Sequence, residues 1–301
     1  MKIPLCLLLL VGWSIDAAAA TCSPVPGADQ IWSRGSARWI WIGETHGSNE
    51  IPTVFGELVC DALSKGRRVT VALERPFEEQ SALDGILSGK ELSSATTVLL
   101  NQPGWRGGID GRASESMLRL LITLRGLHKQ YPALRVFAME GPWTAVGERD
   151  EAMGHALLSL KGKRPKDLIL VLSGNVHAME APLFGFNTAA MYLPRQELLS
   201  LEVTNERGGK SWISARDGCG ALPGGVPDKV KNRPYGAYLD PSFAPVGKVD
   251  GILALGVPLT ASPPAAGEQT PLPECRIKFL SLHPDTKTPT ADDAITDGVK
   301  K

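Results

Sequence analysis

Trp39-Ile40-Trp41-Ile42-Gly43-Glu44-Thr45-His46-Gly47 sets the frame for the whole chain. Its four apolar residues, 39–42, form a short buried strand. The strand stops at Gly43, and two ionisable side chains, Glu44 and His46, follow at once. Glycines on both sides let the backbone turn sharply there, which puts a carboxylate and an imidazole at the lip of a sheet.

Working outward, three more apolar runs end in the same manner. Residues 69–73 lead into Glu74-Arg75-Pro76, residues 134–139 into Glu140, and residues 167–172 into Ser173-Gly174-Asn175-Val176-His177. Between them lie stretches with apolar residues at helical spacing: 51–65, 78–87, 115–131 and 144–161, the last with Thr144 as N-cap. The alternation predicts an α/β fold, a mainly parallel sheet with crossover helices on both faces. Residues 88–112, rich in Gly, Ser and Thr, read as an irregular segment, either a lid or variable surface. Farther on, 197–204 and 211–215 flank Asn205-Glu-Arg-Gly-Gly209 and predict an antiparallel C-terminal hairpin extension. Residues 218–248 read as a covering loop, and 251–255 and 276–282 as final strands.

In an open parallel sheet the carboxyl ends of the strands share one edge, and ligands bind in the crevice there. Topology alone therefore gathers Glu44, His46, Glu74, Glu140 and His177 at one rim. Singly, each has an ordinary explanation: a histidine bonded to nearby backbone, a local Glu74–Arg75 pair, a capping Glu140. Four strands of four ending this way favour a site. Arg149 and Met153 stand four apart on one helix face. Met153 is expected to pack on the sheet and aim Arg149 at the rim, as an anion or carbonyl binder or as the partner of Glu74.

The 301 residues carry zero formal net charge and 21% charged residues, the balance of a globular protein. Nothing in it points to DNA, RNA or an anionic membrane surface as a partner. Lys2, the apolar run 3–13 and Ala17–Ala20 read as a signal peptide, residues 1–20, cut near Ala20. The run is too short to span a bilayer. A periplasmic or secreted protein without stable membrane insertion is expected. Lipidation at Cys22 is disfavoured because Thr21 is not the small residue such a site wants. Residues 21–283 form a single domain, and 284–301 a disordered tail. Cys6 leaves with the signal, and the remaining four cysteines suit disulfides. The expected pairs are Cys22–Cys60 and Cys219–Cys275, each tying nearby parts of the chain.

Gly43-Glu44-Thr45-His46, the strand-end Glu74, Arg149-Asp150-Glu151-Ala152-Met153 and Gly174-Asn175-Val176-His177-Ala178 together resemble the Tiki superfamily. That group holds erythromycin-esterase-like hydrolases, ChaN-like haem-binding proteins, TraB-like proteins and Tiki proteases. The resemblance spans residues 39–179 and the later Thr260-Ala-Ser-Pro-Pro264. It implies a hydrolase in which His46 is a general base on water, Glu44 and Glu74 orient it, and His177 polarises the substrate or shares a metal. A divalent ion would be held by Glu44, His46 and His177, with Glu74 as a further candidate. Such ligands suit zinc, manganese or cobalt. The alternative it implies is a non-enzymatic protein with His46 or His177 on haem iron. Low Tyr and Phe content, 4 and 7 residues, suits an aromatic haem pocket poorly, although seven tryptophans offset this. No Gly-x-Ser-x-Gly, His-Glu-x-x-His, P-loop or Gly-x-Gly-x-x-Gly element is present, which disfavours a serine hydrolase and a nucleotide enzyme. The expected reaction is hydrolysis of an ester or amide in a small-molecule or peptide substrate.

Overall fold

The computed structural model describes residues 22–267 except 107, 109, 143–145, 184, 216–217, 224–231 and 240–247. The strands are β1 (Trp39–Glu44), β2 (Val69–Pro76), β3 (Arg135–Glu140), β4 (Leu168–Gly174), β5 (Leu198–Thr204), β6 (Lys210–Ala215), β7 (Gly218–Pro223), β8 (Gly236–Tyr238) and β9 (Gly251–Ala254). The helices are α1 (Ala28–Trp32), α2 (Glu50–Ser64), α3 (Gln80–Ser88), α4 (Leu92–Leu100), α5 (Pro103–Arg106), α6 (Glu115–Gln130), α7 (Val146–Lys163) and α8 (Asn175–Ala178). The main sheet has the order β3-β2-β4-β1-β5-β9-β8. It is parallel throughout except for the edge strand β8, which runs antiparallel to β9.

Period-two alternation sorts the sheet's side chains onto two cores. Ile40, Ile42, Val71, Leu73, Leu170 and Leu172 pack on one face with α2, α3 and α6. Trp39, Trp41, Ala72, Ile169 and Val171 pack on the other, against Met153, Leu157 and Leu160 of α7. Every residue of β1 is buried, as a strand covered on both faces must be. The Trp41 indole N–H, deep in the second core, donates to Ser173 Oγ at 2.7 Å.

The α/β architecture with helices on both faces is therefore as expected, but three local readings are corrected. Residues 198–204 join the parallel sheet beside β1, and the antiparallel hairpin is instead β6 with β7. A mostly apolar run such as Leu198-Leu199-Ser200-Leu201 suits a doubly covered central strand better than a hairpin arm. The expected covering loop contains β7 and β8, and the irregular segment 88–112 contains α4 and α5. Cys22 and Cys60 are disulfide-bonded, with Cα atoms 5.6 Å apart. Cys219 is also in a disulfide. The expected partner Cys275, the strand 276–282, the tail, the signal peptide and the Thr144 cap lie outside the described residues.

Met153 is fully buried between α7 and the sheet. Met153→Ala should lower unfolding free energy by about 2–5 kcal/mol, read from urea denaturation, through the cavity it leaves.

Candidate active site

The carboxyl ends of β1, β2, β3 and β4 meet at one edge, with Glu44 beside Gly174 and Pro76 beside Glu140 in register. His46 stands just beyond β1. Its Nδ1 lies 2.8 Å from Glu44 Oε1 and its Nε2 lies 3.4 Å from Glu74 Oε2. Both carboxylates are buried beneath it, whereas the imidazole is 19% exposed. Gly174 makes this approach feasible: a methyl group on its Cα would stand 3.0 Å from Nε2. Its backbone N–H donates to Glu74 Oε2 at 2.7 Å.

The loop carrying His46 is pinned from two distant parts of the chain. The Gly47 carbonyl accepts from Trp212 N and Ser262 N, each at 2.8 Å. Gly47 has φ 71°, and a Cβ there would run into the Trp212 carbonyl. Ser262, from the Thr260–Pro264 stretch, also accepts through Oγ from Ser116 N at 2.9 Å.

Arg149 pairs with Glu74. Its guanidinium donates to Glu74 Oε1, and Nε donates to Glu140 Oε1 at 3.1 Å. Its NH1 lies 3.1 Å from His177 Nε2. A guanidinium has no lone pair to offer, so Nε2 accepts. His177 Nδ1 then donates to Asp150 Oδ1, at 2.8 Å. Asp150 is fully buried and is held in turn by Ala189 N at 2.8 Å.

Three participants escaped the sequence reading as site residues. Asp150 sits inside the quoted Arg149–Met153 motif, and its position next to Arg149 was the available signal. Arg112 and Asp110 come from the segment read as irregular. Arg112 NH1 donates to Glu140 Oε2 at 2.7 Å and to Glu74 Oε1 at 3.3 Å, and Asp110 Oδ2 lies 2.7 Å from Arg112 NH2. A buried anchor holds this segment. Trp105 Nε1 donates to Glu79 Oε2 at 3.2 Å, and Arg75 grips Glu79 with two bonds of 2.7 and 2.8 Å. The Arg75 guanidinium stacks 4.8 Å from the Trp105 ring. Arg75 therefore pairs with Glu79, and Glu74 is left to the rim.

Four carboxylates, Glu44, Glu74, Glu140 and Asp110, thus face the cations Arg112, Arg149 and His46, while Asp150 serves His177. Burial alone would lower the His46 pKa, but Glu74 and Glu44 outweigh it and push it up to about 10. For Glu74, burial is outweighed chiefly by Arg149, and the carboxyl is held well below its usual range. Glu140 is likewise lowered against burial, by Arg112 and Arg149.

Of the expected metal set of Glu44, His46 and His177, Glu44 lies on Nδ1 of His46, whereas His177 Nε2 lies 3.6 Å from Glu74 Oε1, the carboxylate on Nε2 of His46. Among the described residues no three His, Cys, Asp or Glu side chains form a metal-holding group. The Arg149 guanidinium lies between Glu74 and His177 instead.

No protein-family model matches the chain, and no curated protein shows significant similarity to it. Solved structures with a related fold include a mutant erythromycin esterase in its open conformation, 12% identical at a TM-score of 0.49, covering 78% of this chain and 94% of that one. A Bacillus cereus protein is 13% identical at 0.46, over 78% of this chain and 92% of its own. The type III effector HopBA1 is 12% identical at 0.45, over 79% and 98%. These similarities concern the fold.

Two outcomes follow. Arg149→Ala leaves Glu74 buried without its principal countercharge and should cost about 3–5 kcal/mol in urea denaturation, with Arg149→Lys recovering part. Because the folded-state pKa of His46 is raised, its stabilisation is complete below the unfolded value of about 6.5 and is lost as pH rises through about 10. The urea midpoint should therefore fall across that window, and His46→Gln should flatten the fall.

Proposed function

We propose that the protein hydrolyses an ester or amide bond in a small-molecule or peptide substrate bound at the sheet's carboxyl rim. The observation that carries this reading is His46, a partly exposed imidazole with a buried carboxylate on each ring nitrogen and two guanidinium groups alongside. His46 Nε2 takes a proton from water as the oxygen attacks the carbonyl carbon. Glu44, on Nδ1, orients the ring and stabilises the imidazolium that forms. Arg112 and Arg149, 24% and 15% exposed, supply positive charge for the tetrahedral oxyanion. As the intermediate collapses, the scissile bond breaks and His46 returns the proton to the leaving oxygen or nitrogen. His177, held at Nδ1 by Asp150, accepts from Arg149 and fixes its position.

The resting proton on His46 must leave before this cycle can start, which ties the rate to pH. The Cys22–Cys60 disulfide supports an oxidising, exported setting. Among the described residues no helix is long and apolar enough to cross a membrane. The haem- or metal-binding alternative has less support, since the Arg149 guanidinium lies against His177 Nε2 and among the described residues no three His, Cys, Asp or Glu side chains form a metal-holding group.

With a panel of activated esters and amides, His46→Ala should lower kcat/KM by about 10²–10⁴-fold. For the unaltered protein kcat/KM should climb about tenfold per pH unit toward pH 10, and Glu44→Gln should shift that climb to lower pH. Turnover indifferent to His46→Ala, or a tight Soret-shifting hemin complex without turnover, would overturn the reading.

A further inference from the structure

The neutral composition conceals a segregation of charge. At the edge opposite the site, where β1 to β4 begin, cations predominate. Arg38 precedes β1, Arg67 and Arg68 precede β2, Arg135 opens β3, and Lys161, Lys163, Arg164 and Lys166 lead into β4. Strand register sets them side by side: Thr70 is level with Arg135 and with Ile169, and Ile169 is level with Trp39. Leu168 N donates to Arg68 O and Ile169 N to Arg38 O, closing the row.

Few acids answer these cations. Asp167, buried, accepts from Arg68 Nε at 3.1 Å and from Arg164 Nε at 2.5 Å. Glu197 lies near Lys161. Lys163 and Lys166 are exposed and enter no ion pair among the described residues. Crowding shows at Lys161, whose pKa is lowered by burial first and then by the like charge of Arg38. The helix dipole accounts for Lys161 and Lys163 in the last turn of α7. It does not account for Arg38, Arg67, Arg68, Arg135, Arg164 or Lys166, which lie outside helices. Arg68, Lys163, Arg164, Pro165, Lys166 and Asp167 bound a depression of about 160 Å³, room for one phosphate group.

We propose that this edge docks the protein on an anionic phospholipid bilayer through headgroup phosphates. A bilayer fits better than a nucleic acid. The aromatic residues next to the patch, Trp32 and Tyr131, pack into or against the core and offer no base-stacking face. The disulfide also suits an exported compartment, where phospholipid is the abundant polyanion. Docked this way, the sheet holds its candidate catalytic rim away from the lipid, open to substrate in solution.

Co-sedimentation with phosphatidylcholine vesicles, with and without phosphatidylglycerol, tests this. Binding should require phosphatidylglycerol at about 50 mM salt and fall by about tenfold or more at about 300 mM. Lys163→Glu with Lys166→Glu should weaken it by about tenfold or more, since each basic residue near a bilayer contributes roughly fivefold. Lys163→Ala with Lys166→Ala should produce a smaller loss. Thermal stability and turnover of a soluble ester should be unchanged in both variants. Equal binding to neutral vesicles, indifference to salt or to the substitutions, or displacement of the protein from vesicles by a DNA duplex would each overturn the proposal.

Discussion

A carboxylate taken out of water must find replacement charge and hydrogen bonds, and Glu74 is in that position at the end of a central strand. Much of the rim answers that requirement. Arg149 reaches it from α7, Arg112 from the segment behind α5, His46 from the β1 loop and the Gly174 N–H from β4. Each of these groups belongs to a different piece of chain. The buried charge is thus the point at which separate elements are brought to a common geometry. Met153 sets the seating of α7, and Trp105 with Glu79 sets that of α5, so apolar packing behind the rim fixes the positions of charges upon it.

The same network gives the two histidines opposite characters. His46 lies between two carboxylates and keeps its proton far above the usual imidazole range. His177 has a carboxylate on one nitrogen and a guanidinium on the other, which holds the ring between opposite charges. Chemically identical side chains are differentiated only by what the fold places at Nδ1 and Nε2.

Much of this was legible in the sequence because a parallel sheet has few degrees of freedom. Apolar runs of four to six residues, each ending in an ionisable group, suffice to predict that Glu44, Glu74, Glu140 and His177 share an edge. The four-residue spacing of Arg149 and Met153 suffices to aim the arginine. What stayed hidden depends on side-chain contacts between segments with no period. Arg112 is one arginine in a glycine-rich stretch, and nothing local says that it turns toward Glu140. Residues 198–204 looked like a hairpin arm because a turn and another strand follow, yet their apolar content suited the interior of the sheet. The metal set expected at Glu44, His46 and His177 rests on residue types, which say which atoms can ligate, not which edge of an imidazole faces which neighbour. Net charge was uninformative as well, since a sum of zero is the same whether charges are mixed or sorted.

The two hydrogen bonds to the Gly47 carbonyl bear on the order of events in synthesis. The strand before Gly47 is among the first elements to leave the ribosome, but the N–H groups that hold its loop belong to residues 212 and 262. A nascent chain can lay down β1 to β4 and bury most of both cores while this loop remains unheld. The imidazole is set in place only when the last part of the domain arrives, a contact of very long sequence separation and correspondingly late closure. The imidazole at the centre of the rim is encoded early and positioned last, so the growing chain is without its finished rim until synthesis of the domain is nearly complete.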